Sequence, residues 1–281
     1  MLLGAVSIFG TIGIFRRYIP LSSGLLAFTR GITGALFLLF VRFRREKVRY
    51  GIRRRDAGLL IFSGAVMGFN WILLFEAYNY TTVAIATLCY YMQPTIVLLL
   101  SPLIFRESLT LKKLLCAGIA VLGMVFVSGV SRAGTGPEGN IKGILFGLGA
   151  AVFYAGVILL NKKIGKIDAY EKSIIQLLSA SIVLIPYLFV TEDIENLQFN
   201  VTTLLLVMTV GLVHTGIAYA LYFGCMDGLR VQTIAVFSYI DPIVALVLST
   251  LILHEPVTVL GIIGAILIIG AAVCMEAEAA K

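Results

Sequence analysis

Few residues in this chain could do chemistry away from water, and they are scattered through long apolar runs. Arg30 is the sharpest, a guanidinium within the apolar segment Ser23 to Val41. An arginine at the centre of a bilayer costs about 2.5–3.5 kcal/mol on insertion scales, so it faces a bundle interior or water, or snorkels. Its place near the segment's start favours snorkelling or anchoring. Gln176 lies at the matching place of another segment, 146 residues on, and the pairing hints at a shared role. Glu76 and Asp241 are carboxylates that could carry a proton, but both fall near segment ends, where solvation is the simpler reading. His214 more often means hydrogen-bonded packing than a proton site, and Asn70, Gln93 and Gln232 are further polar candidates.

Aromatic rings form the second group. Trp71, Phe75 and Tyr78 share a helical face, Tyr219, Tyr222 and Phe223 form a similar stripe, and Thr87, Tyr90, Tyr91 and Pro94 share a third. Aromatic stripes in apolar helices usually mark lipid or interface. Their recurrence, and tyrosine hydroxyls that need partners at depth, favour a binding wall here. Such rings could hold an apolar side chain, or a cation over their faces. The candidate substrate contacts are therefore Arg30, Asn70, Trp71, Tyr78, Tyr90, Tyr91, Gln93, His214, Tyr219, Tyr222 and Tyr239, with Pro94 and Pro242 as helix breaks or hinges. No His/Asp/Glu grouping, metal-spaced cysteine pair or Gly-rich phosphate loop is present, so the reading contains no catalysis, metal or cofactor. Cys89, Cys116, Cys225 and Cys274 read as small buried hydrophobes.

These residues sit in a membrane chain. It is 59% hydrophobic and 13% charged, with mean hydropathy +1.00, a balance that leaves too little polar surface for a soluble domain. Ten spans of about 20 residues would use roughly 200 positions and leave about 80 for loops. The expected helices are about 2–15, 23–41, 57–78, 82–105, 111–130, 141–161, 173–190, 201–226, 231–253 and 258–275. The Gly-rich segment 131–140, with Pro137, is the linker between units 1–130 and 141–281. The start, Met1-Leu2-Leu3-Gly4, reads as a retained span rather than a signal peptide. On ten spans with the N-terminus inside, 17 of the 22 Lys and Arg fall in inner loops or the tail, which favours cytoplasmic N- and C-termini. The +7 charge thus speaks of orientation, not of nucleic acid.

The chain also repeats. Gly68–Thr110 pairs without gaps with Gly216–Thr258, 148 residues on, and 13 of the 43 pairs are identical, including Tyr91/Tyr239, Pro94/Pro242 and Glu107/Glu255. Leu3-Gly4-Ala5 matches Leu148-Gly149-Ala150, 145 residues on. Five spans per repeat force the two copies into opposite orientations, the inverted arrangement of many transporters. A proline inside a helix frees a backbone carbonyl, here Tyr90 and Ser238, so matched kinks are candidate contacts or bending points. Glu107 and Glu255 are expected to cap the turns into the following helices. Small residues at Gly64/Gly68, Gly143/Gly147/Ala151/Ala155 and Gly261/Ala265 are expected to pack helices within the bundle.

In each copy a small-residue helix start (Val83-Ala84-Ile85-Ala86; Thr233-Ile234-Ala235) leads to a Pro, an apolar run, Glu107 or Glu255, and a Gly-containing helix (Gly118; Gly261). This pattern resembles the drug/metabolite transporter superfamily, specifically EamA-type transporters, over essentially the whole chain. Arg106 and His254 depart from it, standing where small or Gly residues commonly precede the Glu. The resemblance implies an all-α integral membrane fold of ten transmembrane helices in two inverted five-helix repeats. It implies a secondary transporter in the cytoplasmic membrane that exports small organic metabolites such as amino acids, as a monomer or homodimer. An exchanger of phosphorylated or nucleotide-sugar metabolites would want several inward Lys or Arg, and Arg30 stands alone. A receptor or scaffold would want large soluble regions, and the longest loop is Arg42–Asp56.

Overall fold

The computed structural model describes residues 1–44, 52–105, 110–128, 141–165, 167–192, 200–226 and 240–279, and their regular structure is helical. In chain order the helices are α1 (Leu2–Gly10), α2 (Ile12–Tyr18), α3 (Ser23–Phe43), α4 (Arg54–Tyr80), α5 (Val83–Tyr90), α6 (Gln93–Phe105), α7 (Leu111–Ser128), α8 (Ile141–Lys162), α9 (Ala169–Thr191), α10 (Val201–Thr209), a π-helical segment (Val210–Ile217), α11 (Ala218–Met226), α12 (Ile240–Ile252) and α13 (Val259–Ala279). Their starts follow local chemistry. Ser22, Thr82 and Asn200 accept from the backbone N–H three residues on, and Asp168 from Tyr170 and Glu171, satisfying donors that a helix leaves open.

Among the described residues, five helices are long and apolar enough to cross a bilayer: Ser23–Phe43, Arg54–Tyr80, Ile141–Lys162, Ala169–Thr191 and Val201–Tyr222. Shorter apolar helices cover Val83–Val97, Leu114–Phe126, Ile240–Ile252 and Val259–Cys274. Their lipid-ready surfaces carry exposed Leu, Ile, Val and Phe, as in α7 (Leu111, Leu115) and α9 (Phe189, Val190). This is a multi-pass membrane protein.

The helices pack in two crossing groups. One is centred on α4, which packs on α8 and α9, with α5 also on α8. The other is centred on the π segment and α11, which pack on α3 and α1, with α12 also on α1. Direct pairs join the groups: α3 on α9, and α5 on α12; α7 packs on α13 and also touches α5 and α6. Small residues set the closest approaches. A Cβ added at Gly64 would sit 2.5 Å from the Gln176 carbonyl oxygen, and one at Gly68 3.1 Å from that of Ala180. In the other group a Cβ at Gly216 would meet the Phe37 ring at 2.8 Å. Gly143 and Gly147 pack on Thr81 and Cys89, so the α8 stripe works inside the bundle.

Several expectations need correction. The first span is broken at Thr11, whose hydroxyl turns back to the Ile8 carbonyl at 2.8 Å. Arg16 is not a loop charge: it lies within α2, is buried, and donates to the Ile19 carbonyl (2.9 Å) and the Ser23 hydroxyl (3.3 Å). Pro94 does not kink a continuous helix. The chain turns at Tyr91–Met92, and Pro94 is the second residue of α6, where a missing N–H breaks no helical bond. Pro242 likewise falls in the first turn of α12; the residues before it, 227–239, lie outside the described structure. Pro186 lies inside α9, and Pro102 falls within α6. Gly261 meets its own Thr258 cap rather than a neighbouring helix, and Cys274 is exposed while Cys89 and Cys116 are buried.

Glu255 is corrected too. The start of α13 is capped by Thr258, which accepts from Gly261 N–H at 3.0 Å. Glu255 reaches instead to the other half of the chain and accepts from the Val83 N–H (2.8 Å) at the start of α5. It also accepts from the Ser249 hydroxyl and pairs with Arg17 at 2.9 Å. Its twin Glu107 lies outside the described residues.

Candidate functional site

Arg30 faces the interior, so snorkelling is excluded. It is 5% exposed, its guanidinium carbon lies 4.4 Å over the Trp71 ring and 5.6 Å from that of Phe75, and Nε donates to the Thr215 hydroxyl at 3.2 Å. The elements explain the placement. Gly31 and Gly34 flank Arg30 on α3, and Cβ atoms there would collide with Ser181 and Thr215, so α3 comes close enough to α9 and the π segment for the side chain to be enclosed. Rings on two sides and a hydroxyl on the third replace part of the lost hydration.

The π segment supplies Thr215 and His214. One wider turn changes which faces of the following residues look inward, and such bulges are frequent at functional sites. His214 is 1% exposed, its Nε2 is 2.7 Å from the Thr11 hydroxyl, and Phe15 meets its ring edge-on at 4.8 Å. Its Nδ1 is buried without a hydrogen-bond partner. Gln176, the counterpart of Arg30, donates to Ser63 (2.8 Å) and Asn161 (2.9 Å), a structural polar link.

Beyond Arg30 lies a group of tyrosines. Tyr78 is buried with its hydroxyl 3.3 Å from that of Thr87. Tyr90 meets Tyr91 edge-on at 6.0 Å and Tyr154 at 5.5 Å, while Phe9 meets Tyr219 at 5.6 Å and Tyr222 at 6.0 Å. The Tyr91 hydroxyl donates to Asp241 Oδ2 at 2.7 Å, joining the break between α5 and α6 to the first turn of α12. Asp241 is therefore a bonded interior carboxylate rather than a solvated end group. Tyr90, Tyr154, Tyr219 and Asp241 are surrounded densely by protein yet keep accessible surface, and we take the space they share as the candidate crevice. Tyr78 and Tyr90 are electrostatic neighbours of both Arg30 and Asp241, so the two charged groups share one set of tyrosines.

The remaining expected residues are more dispersed. Asn70 is fully buried and donates to the Ala150 carbonyl at 2.6 Å, with Oδ1 unpartnered. Gln93 opens α6, half-buried, and its Oε1 is buried without a partner. Glu76 is half-buried and accepts from Asn79 at 3.4 Å. Tyr239 and Gln232 lie outside the described residues, as does the Phe223 side chain. The structure adds Phe9, Thr11, Tyr154 and Thr215. A signal for two of them was present: the 145-residue offset that pairs Gly4 with Gly149 pairs Phe9 with Tyr154, so both halves carry a ring at one position. Among the described residues no His, Cys, Asp and Glu group could hold a metal.

The model of the EamA-like transporter family matches residues 1–129 and again 141–276. The uncharacterized transporter YxxF of Bacillus subtilis is 32% identical over 248 residues, 86% of this chain and 78% of that one. Protein PecM of Dickeya dadantii is 23% identical over 221 residues, 78% and 73% of the two chains. One crystal structure superimposes with a TM-score of 0.67 over 99% of this chain and 96% of its own, at 19% identity, which supports the fold. On the double family match and the YxxF identity, this chain belongs to the EamA-like transporter family.

Proposed function

We propose that the chain is a secondary transporter that exports a small amphipathic metabolite, an amino acid or a close relative, by alternating access. The observation that carries this reading is a set of tyrosine rings that neighbour both a buried guanidinium and an interior carboxylate, drawn from both halves of the chain. A zwitterion with an apolar side chain suits opposite charges set in an aromatic wall. In this reading units 1–130 and 141–281 are two five-span repeats of opposite orientation joined by 131–140, with both termini cytoplasmic. The packing supports it. With the spans counted as in the sequence, each contact of one packing group has its twin in the other when the halves are exchanged: third on seventh with eighth on second, third on sixth with eighth on first, fourth on sixth with ninth on first. Such exchange symmetry lets the inward- and outward-facing states mirror one another.

Counterflow in proteoliposomes with a panel of labelled amino acids tests the proposal, and uptake of at least one member is expected. Folded protein that moves none of them would end the amino-acid version. Trp71→Ala and Tyr219→Ala should each slow that uptake roughly five- to thirtyfold, the range expected when an aromatic contact of about 1–2 kcal/mol is lost. Unchanged rates in both would remove the aromatic wall from the mechanism.

A further inference from the structure

We infer that the crevice holds an organic ammonium group against Asp241, so that the transported compound is an amine whose charged nitrogen docks at this carboxylate. The inference rests on the crevice being the substrate site, and it adds which charge of the ligand goes where. Asp241 is the carboxylate that borders the internal space, and among the described residues no cation pairs with it; the hydrogen bond to its side chain comes from Tyr91, on Oδ2. Interior carboxylates are costly unless a cation or several donors meet them. The protein's own interior cations are engaged elsewhere. Arg30 is held by Trp71, Phe75 and Thr215, and Arg16 donates to Ile19 and Ser23. Arg17 pairs with Glu255.

The surroundings suit an ammonium rather than a metal ion. Tyr90, Tyr91 and Tyr154 form a run of rings beside the carboxylate, with centroids 5.5–6.0 Å apart along the run. Ring faces attract a weakly hydrated organic cation and do nothing comparable for a carboxylate or a neutral head. A metal would need further oxygen or nitrogen ligands, and Tyr91 already occupies one carboxylate oxygen. Tyr91 therefore acts as a positioning residue: its hydroxyl holds Oδ2 and orients the carboxylate.

The test is calorimetric binding to the purified full chain, with three probes that share a phenyl ring and differ in head group: 2-phenylethylamine, 2-phenylethanol and 3-phenylpropanoate. The amine should bind at least about tenfold tighter than the alcohol, and the propanoate more weakly still. Asp241→Asn should erase the gap between amine and alcohol, while Asp241→Glu and Tyr91→Phe, which keep the negative charge, should retain a measurable gap. Equal binding of the three probes by the wild type overturns the inference, as does a full amine preference in an Asp241→Asn protein that melts like the wild type. If Asp241→Asn does not fold, the wild-type series and Asp241→Glu decide alone, and loss of the preference in Asp241→Glu counts against it. Binding needs no gradient, so the outcome is separable from counterflow: a chain that moves no amino acid can still show the amine preference, and a transporting chain can lack it.

Discussion

The two packing groups make matched contacts from unlike residues. In the group around α4, Val66 lies 3.9 Å from the place a Cβ on Gly156 would occupy, and both helices run through the contact unbroken. The repeat offsets put His214 and Thr11 at the same two places in the other group. There the contact is a 2.7 Å hydrogen bond, the first span is broken at Thr11, and the eighth widens into a π turn at Val210–Ile217. Trp71 and Tyr219 also pair in the repeat. Trp71 is buried under Arg30, while Tyr219 keeps surface on the crevice. At this matched contact one group is continuous and apolar and the other interrupted and polar, while the first group keeps polar links of its own elsewhere, from Asn70 to Ala150 and from Gln176 to Ser63 and Asn161. Here the interruption sits where the polar side chains are. Carbonyls and donors freed by a break are tolerated at membrane depth where protein or a cavity satisfies them, and Thr11 and His214 satisfy each other.

The difference in rigidity can be broken most sharply at the glycines. Gly64→Val would drive a branched side chain at a backbone oxygen, that of Gln176, whereas Gly216→Val would press on the Phe37 side chain at Cγ and Cδ1 (2.8 Å) and Cβ (3.0 Å), so that a side chain rather than backbone must shift. Overpacking costs about 1–3 kcal/mol and more where backbone must shift, so Gly64→Val should cost roughly 3 kcal/mol or more and Gly216→Val about 1–2. Thermal melts in detergent check this. An equal or larger cost at Gly216 would mean that the interrupted group is as stiff as the continuous one.

A smaller effect on stability, with a larger one on transport, is expected from making the second group imitate the first. The double change Thr11→Gly, His214→Val copies Gly156 and Val66. It removes both hydrogen bonds of the Thr11 hydroxyl, to His214 and to the Ile8 carbonyl, each worth about 1 kcal/mol net, and also removes Nδ1, a buried nitrogen without a partner that the fold keeps at a cost of similar size. The melting temperature should therefore fall only modestly, while counterflow slows. Transport at the wild-type rate would show that the polar contact serves packing only.

Much of the continuous group was legible in the sequence, and much of the crevice was not. Small residues at Gly64, Gly68, Gly143 and Gly147 announce close packing because helices approach only where side chains are absent. The inward turn of Trp71, Phe75 and Tyr78 follows from their shared face. Arg30 could not be oriented from its depth alone, since the neighbours that decide it, Thr215 and Phe75, come from other helices. Nothing in Thr11 or in Val210–Ile217 marks a break: threonine is an ordinary helix residue, and a π turn costs little where its freed groups find partners. Glu255 was misassigned because its place before a helix suggested a cap there, while its partners Val83 and Arg17 are remote in sequence.

The smallest predicted effect asks whether strain gathers in the interrupted group. After α12 the chain closes with the Glu255 N–H on the Ser249 carbonyl at 3.2 Å, six residues back, and His254 just before it lies in the left-handed region, φ 53°. This is the position where family resemblance expects a small or Gly residue, and the geometry gives the reason: without a Cβ the conformation is free of steric cost. A histidine there is held because Glu255, fixed by Val83, Ser249 and Arg17, dictates the turn. His254→Gly should relieve that cost and raise stability by about 0.5–1 kcal/mol, less the extra entropy glycine brings to the unfolded chain. His254→Val should instead lower stability, by about 1 kcal/mol or more, because β-branched residues fit this region worst. If glycine destabilises and valine is neutral, the turn is not strained, and the contrast between the two groups reduces to polarity alone.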